Sequence, residues 1–205
     1  LVVAPPYYLP ISDREMGRYL KDLVPELQLP FLLYNMPSCT KLNMDMDLVK
    51  KAKDLGAVGI KDSSGDLSFL YMMIEEFKND PSFAIITGTE LFLPETIMNG
   101  GHGAVAGGAN FFPRLFVDLY DAMVAGDFGK VKLLREEVLK IHTTIYEVGK
   151  YPSRHIKGTK TALSAMDICQ DYVAAPLFRF NEQQRNRIKE YIGQFNYNNE
   201  YNPTL

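Results

Sequence analysis

Five short runs of β-branched and aliphatic residues recur along the chain, at 1–4, 31–34, 58–61, 84–87 and 103–106, and each leads into a turn or a Gly/Pro/Ser cluster. Between them the apolar positions switch to helical spacing. Met16, Tyr19, Leu20, Leu23 and Leu27 follow the cap candidate Ser12, and Leu67, Leu70, Met73, Ile74 and Phe77 follow Gly65 and Asp66. Strand therefore alternates with helix. The strands read as nearly continuous apolar runs, the pattern of parallel strands covered on both faces. This alternation fits either a doubly wound open sheet or a closed (β/α)8 barrel.

Past Gly108 the pattern changes. Residues 114–124, 128–148, 155–166 and 182–195 all read as amphipathic helix, and no further strand is predicted. The last ten residues, NYNNEYNPTL, have no apolar periodicity and read as a frayed polar end. The opening LVVAPPYY looks like the middle of a fold, with neither Met nor cap before the apolar run, so a natural start is expected to be missing, and with it any targeting signal.

Composition narrows the function. The chain has 205 residues, 46% hydrophobic and 23% charged, which is a globular composition. A net charge of −3 without any basic run excludes the electrostatic footprint of a nucleic-acid binder. No apolar run approaches bilayer length, since Glu90, Glu95, His102 and Arg114 interrupt the most apolar region, so no membrane partner is expected. Cys39 and Cys169 stand far apart and outside any metal-ligand spacing, which points away from zinc and disulfides and makes a reducing cytoplasm the simplest compartment.

In parallel α/β folds the carboxyl ends of the strands carry the chemistry. Tyr34 closes PFLLY and Lys61 closes AVGIK on the next strand along, so both are expected in one mouth. Low-dielectric surroundings disfavour a lysine's charged form and leave a neutral amine able to attack a ketone. A tyrosine hydroxyl within hydrogen-bond reach can then shuttle the protons. The plainer alternative is a snorkelling lysine beside a rim tyrosine. His102, alone in a Gly-rich loop without a second ligand, reads as structural, and GGHGAVAGG lacks the order of a dinucleotide fingerprint. Pro5, Pro6 and Pro37 fix loop geometry after strands.

YNMPSCT, GIKDSSGD, IITGTE and NGGHGAVAGGANFFPRLF stand at the ends of successive strands, and together they resemble the N-acetylneuraminate lyase and dihydrodipicolinate synthase family. The resemblance runs from Leu1 to about Phe180 and rests mainly on Y-N-x-P followed by G-x-K-x-x-S/T-G. It implies an α/β fold, strands four to eight of a (β/α)8 barrel with a C-terminal helical extension. The partial barrel is expected over residues 1–126 and the helical region over 127–205. It further implies a pyruvate-handling class I aldolase in which Lys61 forms the Schiff base with a 2-keto acid and Tyr34 is the acid/base. Tyr8 becomes the aromatic that reaches a neighbouring subunit's site in a homodimer or homotetramer. The Val105 carbonyl falls beside pyruvate, Gly88 and Glu90 meet substrate hydroxyls, and Ser63 is a further candidate for that task. No metal and no organic cofactor is implied.

Two departures from the family pattern bear on substrate. The family's threonine pair lies on an earlier strand that this chain does not contain. Where synthases usually place an arginine for the carboxylate of aspartate semialdehyde, this sequence has Cys39, which cannot grip a second acid in that way. The expectation is therefore a lyase acting on a 2-keto-3-deoxy sugar acid or a sialic acid. The alternatives are a dihydrodipicolinate synthase and a barrel that binds without turnover.

Overall fold

The computed structural model describes residues 1–195; the polar end expected at 196–205 lies outside the described residues. The chain divides into two compact units, the first spanning Leu1–Val105 and the second beginning at Ala106.

The first unit is built on strands β1 (Val2–Val3), β2 (Phe31–Asn35), β3 (Ala57–Asp62), β4 (Ala84–Thr87) and β5 (Gly103–Ala104). They form one sheet in the order β1-β2-β3-β4-β5, and every pairing is parallel. The connections carry helices α1 (Asp13–Leu23), α2 (Pro37–Thr40), α3 (Met46–Asp54), α4 (Leu67–Phe77) and α5 (Leu93–Met98). This is the α/β class expected from the alternation. The first and last strands are shorter than the apolar runs, and Pro5 and Pro6, which lack an N–H for the ladder, follow directly on the first run.

Local chemistry explains where the helices begin. Ser12 and Glu15 form a reciprocal capping box at α1, with both backbone N–H groups served by the other residue's side chain. Asp45 and Asp66 accept from the N–H groups of Leu48 and Phe69 and so start α3 and α4. Strand periodicity then sorts the faces. Leu33, Ile60 and Ile85 point to the helical layer and are sealed there by Met16, Leu20, Val49, Leu70, Met73 and Phe83. Burying such side chains contributes about 1.5–3 kcal/mol each. The β2–β3 register shifts between Phe31 and Leu33, and Val58, which falls in that irregular stretch, stays 40% exposed.

The second unit is helical: α6 (Pro113–Val124), α7 (Phe128–Thr143), α8 (Arg154–Ala165) and α9 (Glu182–Ile192). α6 buries Leu115, Phe116, Leu119 and Met123, and α7 buries Val131, Leu134, Val138 and Ile141. A single helix over 128–148 was expected, but α7 stops at Thr143 and a separate 3-10 turn occupies Ile145–Glu147. The reason is local: the Thr143 and Thr144 hydroxyls both donate back to carbonyls of the last turn, and Thr144 leaves helical geometry at φ −123° and ψ −80°. Within this unit the buried Asp171 is ion-paired with Arg179, and Asn181 and Gln184 form the capping box of α9. Among the described residues no helix is long and apolar enough to cross a membrane.

Candidate active site

β2 and β3 pair so that Tyr34 lies opposite Lys61 and Asn35 opposite Asp62. Because successive strand residues point to opposite faces, the two pairs separate across the sheet. Tyr34 and Lys61 share the less covered face, both only partly buried, and the Lys61 Nζ stands 4.3 Å from the centroid of the Tyr34 ring. At that distance the ring's negative face attracts the ammonium. The two residues expected to carry the chemistry are therefore neighbours.

Behind them lies a buried polar pair that sequence reasoning missed. The Asn35 Nδ2 donates to Asp62 Oδ1 at 2.7 Å, with Asn35 fully buried and Asp62 3% exposed. The Met44 N–H donates to Asn35 Oδ1 at 3.2 Å, and the Ser64 hydroxyl donates to Asp62 Oδ2 at 2.9 Å. Burial pushes the Asp62 carboxyl above its ordinary range, and the Ser64 and Asn35 hydrogen bonds offset part of that rise. The available signal was one of alternation: polar residues directly after Tyr34 and Lys61 must face the apolar layer, where an unpaired amide or carboxylate is costly.

The backbone ties these strand ends together. The Ser63 N–H donates to the Asn35 carbonyl, the Gly88 N–H to the Asp62 carbonyl, and the Val105 N–H to the Thr87 carbonyl. Gly88 lies so close that a Cβ there would sit 1.8 Å from the Ser63 Oγ and 3.2 Å from the Lys61 Cε. Only glycine leaves room for both side chains. Ser63 and Gly88 are thus placed against Lys61.

The remaining candidates are dispersed along the chain. Glu90 opens a 3-10 turn after β4 and is buried at 4% exposure. Val105 follows β5 and is 53% exposed. Tyr8 is 79% exposed, adopts φ +94°, and meets Tyr7 edge-on at 6.5 Å. A tyrosine held at positive φ in the open is a strained, unburied aromatic. Cys39 is an exposed free thiol in α2, and the Lys41 Nζ is engaged with the Ser38 carbonyl at 3.2 Å. His102 occupies the structural position expected of it: its Nδ1 accepts the Ile85 N–H at 3.0 Å, which fixes the proton on Nε2 whenever the ring is neutral.

The described sheet is parallel and sets a lysine beside a tyrosine at adjacent strand ends, the edge at which parallel α/β folds carry their sites. The chain matches the Dihydrodipicolinate synthetase family over residues 1–195, and it belongs to that family. It is 28% identical over 196 residues to a 4-hydroxy-tetrahydrodipicolinate synthase of Methanospirillum hungatei, covering 95% of this chain and 65% of the relative. It is 33% identical over 144 residues to YagE of Escherichia coli K12, whose name assigns it provisionally as a 2-dehydro-3-deoxy-D-gluconate aldolase, covering 69% of this chain and 48% of the relative. Among solved structures, dihydrodipicolinate synthase from Bacteroides thetaiotaomicron superposes with a TM-score of 0.89 at 39% identity, over 95% of this chain and 65% of that one. The chain thus spans less than two thirds of the length of these relatives.

Proposed function

We propose that the protein is a Schiff-base-forming, pyruvate-dependent aldolase that cleaves a 2-keto-3-deoxy sugar acid or a sialic acid. The observation that carries the reading is the Lys61 amine 4.3 Å from the Tyr34 ring on in-register neighbouring strands. The Lys61 nitrogen attacks the ketone carbon and water leaves, giving an imine that is protonated on nitrogen. The carbon–carbon bond beyond the adjacent carbon breaks, and its electron pair moves into the imine to give an enamine. Tyr34 accepts the proton of the hydroxyl that becomes the aldehyde. Protonation of the enamine carbon and hydrolysis of the imine return pyruvate and the free amine. Ser63 and Gly88, packed against Lys61, and Glu90 and the Val105 carbonyl serve substrate positioning in this scheme.

A thiol at Cys39, in the place of an arginine, supports the sugar-acid substrate. Cys39 is an exposed free thiol, and the Lys41 Nζ donates to the Ser38 carbonyl. The membership of YagE in the same family, with a solved structure of YagE in complex with pyruvate at a TM-score of 0.84, supports the pyruvate step. A second reading, condensation of pyruvate with aspartate semialdehyde, is favoured by the names of the Methanospirillum hungatei and Bacteroides thetaiotaomicron relatives. The partner reading is a homodimer or homotetramer in which the exposed Tyr8 crosses to a neighbour's site. The test is to incubate the full-length protein with pyruvate and borohydride. An adduct on Lys61 by peptide mass supports the enzyme reading, and an unmodified Lys61 overturns it in favour of a binding barrel.

A further inference from the structure

Asn35 and Asp62 each stand one residue beyond a proposed catalytic group, on the opposite face of the same strand, and they are bonded to one another across the β2–β3 seam. The amide is used fully. Its Nδ2 holds Asp62 and lies 3.4 Å from the Asn43 Oδ1, while its oxygen takes the Met44 N–H. Asp62 is anchored in turn by the Ser64 hydroxyl, and its carbonyl takes the Gly88 N–H. The network thus joins the β2 end, the β3 end, the loop at residues 43–44 and the turn at residues 63–64. Burial gives the bond leverage, because a carboxylate or amide that loses its partner away from water costs the whole desolvation of that group. Slippage of either strand end would break this bond, and any slippage also moves Lys61 relative to Tyr34.

We propose that the Asn35–Asp62 pair is a positioning element that clamps the strand ends so that the Lys61 amine is held over Tyr34. The inference rests on the reading of Lys61 as the reacting amine, but its geometric consequence is measurable without turnover. A clamped Lys61 is restrained against the ring, and an unclamped one swings into solvent. Loss of the clamp therefore speeds modification of Lys61 by a small acylating reagent while slowing its reaction with pyruvate. In a variant that stays folded, a role in stability alone would leave both rates unchanged.

The experiment compares the wild-type full-length protein with Asp62→Ala, Asn35→Asp and the exchange variant N35D/D62N. The exchange keeps one amide-to-carboxylate bond and still serves the Met44 N–H and the Ser64 hydroxyl. Acetic anhydride labelling is read by peptide mass at Lys61 relative to Lys50, which is ion-paired with Glu76 on the opposite flank of the unit. Pyruvate with borohydride is read in parallel. In each single variant we expect Lys61 acylation to rise at least fivefold and adduct formation to fall at least tenfold, and we expect the exchange variant to return both to within threefold. Should a single variant fail to fold, the exchange variant decides between the outcomes, because a clamp requires that it label like wild type. Unchanged Lys61 labelling in folded single variants, or an exchange variant that labels as freely as they do, overturns the proposal. If wild type forms no pyruvate adduct while the labelling pattern holds, the aldolase reading fails and the clamp stands.

Discussion

The Lys61 Nζ lies 4.3 Å from the centroid of the Tyr34 ring, with the two residues directly opposite each other in the parallel register of β2 and β3. A cation over a ring face is held by the ring itself, not by the phenolic oxygen. The two parts of Tyr34 are therefore separable. Tyr34→Phe keeps the surface under Lys61 but removes the proton acceptor. We expect it to form the borohydride-trapped pyruvate adduct while turnover falls about 10²–10⁴-fold, the ordinary contribution of general acid–base catalysis. Lys61→Ala is expected to lose the adduct's mass shift completely and to keep the wild-type helical signal. A Tyr34→Phe protein with wild-type turnover would remove the tyrosine from the mechanism.

Gly88 offers a test of packing around the same amine. A methyl group there meets the Ser63 Oγ at 1.8 Å, the Ser63 Cβ at 3.0 Å and the Lys61 Cε at 3.2 Å. Overpacking of this kind costs about 1–3 kcal/mol. Gly88→Ala should lower the unfolding free energy by that amount, read as a fall in the urea midpoint at constant slope, and slow adduct formation. Combining it with Ser63→Ala removes the worst contact and should recover part of both losses, so the two substitutions will be non-additive in a double-mutant cycle.

How far the sequence alone reached is visible at these positions. Tyr34 and Lys61 were legible because each closes an apolar run, and the switch between strand and helical periodicity places such residues at the carboxyl edge. Their partners Asn35 and Asp62 follow them directly, yet nothing in sequence spacing says which buried polar group across a seam will satisfy which. The same limit applies to His102, whose structural character was legible from its isolation, while its partner, the Ile85 N–H, is supplied by a strand 17 residues away. The break at Thr144 was missed because apolar periodicity continues through it; the competing signal was the Thr-Thr pair, whose hydroxyls bond backward to the helix. Tyr8 at φ +94° was unreadable, since positive φ in a non-glycine residue is set by its surroundings.

Acid stability should separate two aspartates of opposite character. The Lys53 hydrogen bond, with those from Ser82, holds the Asp80 carboxyl down at about 2, so its folded form stays ionised where the unfolded chain binds a proton. Its contribution is fully present above about pH 4 and is lost as pH falls from there toward 2. Asp62 has the reverse sign. Burial raises it, so the folded state holds the proton more tightly, and stability declines as pH rises from about 4 through its folded value. Urea midpoints taken from pH 2 to 7 should show Asp80→Asn flattening only the lower limb and Asp62→Asn flattening only the decline above pH 4. The same limb responding to both variants would contradict these assignments.

The proposed sugar-acid specificity turns on Cys39. An acceptor such as aspartate semialdehyde brings a second carboxylate, and a bidentate arginine binds it through charge-assisted hydrogen bonds of about 1.5–3 kcal/mol. At 1.4 kcal/mol per decade this is roughly 10–150-fold in rate. Cys39 supplies no such donor, and the nearest cation along the chain, Lys41, sits in a left-handed conformation at φ 66° with its Nζ on the Ser38 carbonyl. Swinging Lys41 into a site would break that bond. The full-length protein should therefore condense pyruvate with glyceraldehyde or N-acetylmannosamine faster than with aspartate semialdehyde. Cys39→Arg should raise the aspartate semialdehyde rate about tenfold or more while leaving the pyruvate adduct on Lys61 unchanged. A wild-type protein that prefers aspartate semialdehyde, measured as kcat/KM, would show that another group grips the second carboxylate and would sink the sugar-acid assignment.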